Sequence, residues 1–167
     1  MRLLLQISLL AFVAYQACNA TSFAHLHASR MMKIIKAAIK TRDVTTLMFI
    51  THKNMTYSMC GFVGDHDNFQ SFMENQLENM ITAKTHLFGD EAQTIEENGR
   101  IFIKFSFTME TTYRDRDRID GLVTIIAIQD EQNPNHFEIM NIHEKCRILN
   151  SRHRLYRLFT YTDLYDY

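Results

Sequence analysis

The sequence predicts an α+β domain in which helices come first and a mostly antiparallel sheet follows. Three observations carry that prediction. Ile101, Ile103, Phe105, Phe107 and Met109 alternate with Lys104, Ser106, Thr108 and Glu110, the period of a strand with one apolar face. Leu122–Ile128 is apolar almost throughout, the pattern of a central strand covered on both faces. Upstream, Phe23, Leu26, Met31, Ile34, Ile35, Ala38 and Ile39 recur at helical spacing.

The elements follow in order. Residues 1–20 read as a secretory signal peptide: Arg2, an apolar run from Leu3 through Val13, and small residues ending at Ala20. That run is too short to span a bilayer comfortably. A helix is expected over Ser22–Lys40. Thr41-Arg42-Asp43 breaks it, and Thr41 or Asp43 caps a short helix, Val44–Phe49. A strand runs from Ile50 to Met59 and ends at Cys60-Gly61. Within it, Asn54-Met55-Thr56 is an N-glycosylation sequon, which requires Asn54 to face outward.

A second long helix is expected over Asp67–Ala83. Asp67 and Gln70 fit a capping box, and Phe69, Phe72, Met73, Leu77, Met80 and Ile81 make its stripe. Gln76 interrupts that stripe and is expected at the core edge or a cavity. A short strand is expected over Thr85–Thr94, then a turn marked by Asn98-Gly99. The strands after it are joined by the charged tip Tyr113–Arg118 and by the Asp130–Asn135 loop, which holds the only proline. Phe137–His143 continues to Cys146. The domain is therefore expected over 21–147, with a basic, then Tyr-rich tail over 148–167.

At 167 residues the chain is long enough for one domain with a proper core. Removing Arg2 with the leader leaves 17 Lys+Arg against 19 Asp+Glu, a net of −2. No basic field for nucleic acid exists. No second apolar run suggests a membrane span after cleavage. The expected location is extracellular. Cleavage also takes Cys18 and leaves Cys60 and Cys146. In an oxidising compartment an even pair reads as one disulfide, with two buried thiols as the alternative. The bond closes a loop of roughly 85 residues and contributes about 4 kcal/mol in the chain-entropy account.

The order of helix, short helix, strand, helix, strand and long meander resembles the nuclear-transport-factor-2-like superfamily. So do the Lys40-Thr41-Arg42-Asp43 break and the Cys60-Gly61 step. The resemblance covers about Ser22 to Cys146 and is nearest to small secreted nematode members. It implies a curved sheet wrapped against the N-terminal helices as a cone with an open mouth. It also implies that Ile50–Cys60 lies beside Phe137–Cys146, which brings the two cysteines within reach. The superfamily includes ketosteroid-isomerase-type enzymes, dehydratases, hydrolases and many members without activity. Its transport role belongs to an intracellular branch, which a signal peptide argues against. A cystatin-like fold would leave the second long helix without a place.

Acid–base chemistry in a cone needs an ionisable group inside it. Tyr57 lies in the first strand. Asn141 and His143 are in phase with Phe137 and Ile139, and Asp120 starts the apolar strand. An Asp120–His143 pair with Tyr57 as proton donor would suit proton abstraction beside a carbonyl, or a dehydration. Each also has a plain structural account: a turn-to-strand junction, a wet sheet end, a core tyrosine. Asp65-His66-Asp67 reads as helix-start acids, and no metal or cofactor is expected. The reading is a non-catalytic binding or interaction module with an apolar pocket, and an acid–base isomerase or dehydratase is the alternative. The expected partners are a small apolar ligand and a second copy of the chain.

Overall fold

The computed structural model describes residues 23–88, 92–115 and 118–149. The expected leader, 1–20, and the Tyr-rich end of the tail lie outside the described residues. Helix α1 runs over 23–41. It buries Ala24, Ala28, Met31, Ile35 and Ala38. The three alanines on that face let the helix approach the sheet closely. His25 is exposed, whereas its near neighbour His27 is 4% exposed. Spacing explains this: His27 lies one turn after Phe23 on the apolar side. Its ring sits 4.5 Å from that of Phe23 and 4.7 Å from that of Phe137. Burial, then the Arg30 charge, lowers its pKa.

The break after α1 is built by two residues. Arg42 adopts φ +56° and donates from Nη2 to the Met80 carbonyl at 2.9 Å. Asp43 caps α2, Val44–Phe49, accepting from the Thr46 N–H at 3.0 Å and its hydroxyl at 2.6 Å. These bonds lower the Asp43 pKa. Strand β1, Thr51–Met59, follows. Cys60 and Gly61, at φ +49° and +87°, form a two-residue turn into β2, Phe62–Asp65. Sequence periodicity misses β2, because four residues with both apolar side chains exposed carry no pattern.

Helix α3 spans His66–Asn79. Its capping box is Asp65 with Asn68, two residues ahead of the expected Asp67 and Gln70, because β2 delivers the chain at Asp65. Gly64 is needed there: a side chain would collide with Asn68 and the Tyr57 ring. The helix also ends four residues earlier than the stripe suggests. Met80–Leu87 is strand β3, and Ile81, counted in the helical stripe, is exposed on it. The β-branched residues Ile81, Thr82 and Thr85 suit that ladder. The strand expected over Thr85–Thr94 is thus two strands, the end of β3 and β4, Gln93–Glu97.

Asn98 and Gly99, at φ +53° and +74°, turn β4 into β5, Arg100–Tyr113. Strands β6, Arg118–Gln129, and β7, Phe137–Leu149, complete the sheet. The order is β2-β1-β7-β6-β5-β3, with β4 paired to the first part of β5. The β1–β7 pair is parallel and the others are antiparallel. The result is an α+β, curved, mostly antiparallel sheet wrapped against its helices. Strand β6 is not covered on both faces, as its run of apolar residues predicts. Val123, Ile125 and Ala127 face the helices, whereas Leu122 on the outer face is 39% exposed.

Candidate functional site

The helices and the inner face of the sheet enclose an apolar cavity. Its wall takes Ile35 from α1, Leu47 from α2, Met59 from β1, Phe69, Phe72, Met73 and Gln76 from α3, Phe107, Met109 and Tyr113 from β5, and Val123 and Ile125 from β6. Gln76 thus sits where its place in the helical stripe predicts. The unfilled space is about 70 Å³, room for a few waters. Strand β7 supplies Ile139, Ile142 and Glu144.

Glu144 is the group that sequence phase misses. Counting alternate residues from Phe137 and Ile139 brings Asn141 and His143 inside. The β6–β7 register instead runs from Ile126↔Asn141 to Ala127↔Ile139, so Met140 is an extra residue in β7. Beyond this bulge the phase is inverted. Ile142 and Glu144 face inward, and Asn141, His143 and Lys145 face outward.

Three neighbours shape the seat of Glu144. Met59 is its register partner on β1, and Val123 on β6. A side chain on Gly121 would collide with its carboxyl, so glycine makes the room it occupies. A disulfide joins Cys60 to Cys146 (Cα–Cα 5.1 Å), and Glu144 Oε2 lies 3.5 Å from Cys60 Sγ. A bonded sulfur has no proton to give, so this contact suits a protonated Glu144 donating weakly to sulfur. Glu144 is 7% exposed, and burial pushes its pKa from 4.5 to about 7.

The other sequence candidates lie apart from one another. Tyr57 is buried between β1 and α3, its ring 5.2 Å from Phe69 and 5.0 Å from Phe72. Burial, then the Asp65 charge, raises its pKa. Asp120 is on the outer face, bound to Arg118 Nε at 2.9 Å. His143 is exposed on that face opposite Thr124, while Asp120 is opposite Arg147. Four residues of each strand, roughly 13 Å, therefore separate the pair. The structure does not bring Asp120, His143 and Tyr57 to one site. Asn54 is exposed on β1.

Among the described residues, two groups of metal-ligand residue types converge. Cys60, Cys146 and Glu144 form one, but its sulfurs are bonded to each other and are not the thiolates a metal takes. Asp130, His136 and Glu138 form the other, with ligand atoms within 4.8 Å on the partly exposed β6–β7 hairpin. Its sequence signal is the placement of these residues on either side of the Pro134 loop.

No family model matches the chain, and no curated protein matches it by sequence. Solved structures do match. A proposed scytalone dehydratase from Novosphingobium aromaticivorans is 8% identical with a TM-score of 0.53, covering 83% of this chain and 87% of that one. A designed nuclear-transport-factor-2 protein is 11% identical with a TM-score of 0.52, over 71% and 96%. A proposed ketosteroid isomerase from Shewanella frigidimarina is 13% identical with a TM-score of 0.50, over 71% and 94%. The fold is therefore that of the nuclear-transport-factor-2-like superfamily. No helix among the described residues is long and apolar enough to cross a membrane.

Proposed function

We propose that this chain is a secreted protein that binds a small apolar molecule in its cone. The observation that carries the reading is the cavity wall, which is mostly apolar, with Thr51, Gln76 and Tyr113 as its uncharged polar members and, among the described residues, one carboxyl, Glu144. At about 70 Å³ the space admits a ligand of more than a few atoms only when side chains move. Met59, Met73, Met80 and Met109 line it, and methionine repacks most readily. The leader-like residues 1–20 and the Cys60–Cys146 bond support an oxidising destination. The exposed Asn54 suits a glycan. A homodimer would use the outer face around Leu122.

The test is intact mass of the protein secreted from eukaryotic cells, native and denatured. The expected native mass exceeds the denatured one by a small-molecule increment. The chain is expected to begin at Thr21 and to gain about 2 Da on reduction. Equal masses, unchanged after incubation with apolar compounds, would remove the binding reading.

One observation favours a second reading, an acid–base isomerase or dehydratase. Glu144 is a buried carboxyl that titrates near 7, able both to take and to give a proton at neutral pH. Two of the structural likenesses are to proteins proposed to isomerise or dehydrate. Incorporation of solvent deuterium beside the carbonyl of a bound ketone, abolished in Glu144→Gln, is the outcome that reading requires.

A further inference from the structure

We propose that the occupant of the cone is a small apolar amine whose ammonium group sits on Glu144. The inference rests on the reading of the cone as a ligand site and names the ligand's class. Glu144 is more than nine-tenths buried and aimed into the cavity, and its polar contact is a disulfide sulfur. Buried carboxylates in proteins are ordinarily paired with a cation or with several donors. Here no Lys, Arg or His among the described residues lines the cavity. The neighbouring strands bring Met59, Val123 and Gly121 against the carboxyl, and the titratable side chain sharing the cavity is Tyr113. When Glu144 is ionised, the cation that completes the pair comes with the guest.

The rest of the wall suits such a guest. Aromatic faces attract cations, and thioether sulfurs are polarisable. Phe69, Phe72, Phe107 and Tyr113 supply rings, and Met73 and Met109 supply sulfurs. Gly121 holds open the space in which the carboxyl lies, so the seat is built by sequence rather than left by loose packing. Because an ammonium pairs with the ionised carboxyl, amine binding releases a proton from Glu144. Affinity therefore rises with pH while that proton is still bound.

The test uses the full secreted chain and three probes of one shape: benzylamine, benzyl alcohol and toluene. Affinities are measured by titration calorimetry at about pH 5.5 and about pH 8. Benzylamine is expected to bind about tenfold or more tightly than benzyl alcohol at the higher pH, and about tenfold more weakly at the lower. Glu144→Gln is expected to bring the amine down to the alcohol and to flatten its pH dependence. An alcohol that binds as tightly as the amine, or an amine affinity flat with pH, overturns the amine while toluene binding preserves the apolar cone. Binding of none of the three removes the cone reading and the amine with it. The wild-type comparison stands even where the variant does not fold.

Discussion

β5 and β7 flank the same central strand, yet only β5 keeps one phase along its apolar face. From Ile103 to Tyr113 every second residue of β5 is buried. Strand β7 begins the same way, with Phe137 and Ile139 inward, then takes one extra residue at Met140 and reverses. The regular strand builds core. The bulged strand delivers the one carboxyl that the described residues bring to the cavity wall. A bulge re-aims the side chains beyond it without changing their order in sequence, which is why such features recur beside functional sites.

The largest effect that tests this contrast is on the regular strand. Phe105 is fully buried, and Phe105→Ala is expected to cost about 4 kcal/mol in denaturant unfolding, with no change in pH dependence. A loss under about 1 kcal/mol would show that β5 is not the packed side of the comparison.

On the bulged strand the signature is pH. The folded Glu144 holds its proton to about 7 while the unfolded carboxyl releases it near 4.5, so between them the folded state binds more protons. Its contribution is full below the unfolded value and lost as pH climbs through about 7. The gap amounts to a decline on the order of 3 kcal/mol across that window. Glu144→Gln is expected to remove this decline, read as the difference between wild-type and variant unfolding curves across the window. An unchanged profile would place the carboxyl in water.

Gly121→Ala should cost about 1–3 kcal/mol by crowding that carboxyl. It should also pull the pH signature toward that of an exposed glutamate, visible by NMR titration. The smallest effect is expected from deleting Met140. Without the extra residue the ladder closes regularly, and Ile142 and Glu144 still face inward. A loss of about 1 kcal/mol is expected, with the pH decline retained. Disappearance of the decline would mean the bulge holds Glu144 in place and does not merely absorb a residue.

Local chemistry made much of this protein legible in its sequence. The alternation of Ile103 to Met109 marks a half-buried strand because neighbouring side chains must point oppositely. Asn98-Gly99 marks a hairpin because few residues accept positive φ. Asp43 caps the short helix because its oxygen reaches the Thr46 N–H. With Cys18 assigned to the expected leader, the two remaining cysteines point to the Cys60–Cys146 bond. These signals span a few residues or a count, and no distant partner alters them. The end of α3 at Asn79, the strand β2 and the inward turn of Glu144 were decided only in three dimensions. Met80 and Ile81 continue a helical stripe until β5 offers them a ladder. Phe62 and Val63 become a strand because β1 is beside them. Whether Glu144 faces lipid-like core or water depends on one residue of register between β6 and β7. Such a slip costs little locally, so it leaves no local mark, and the packing of the whole sheet selects it.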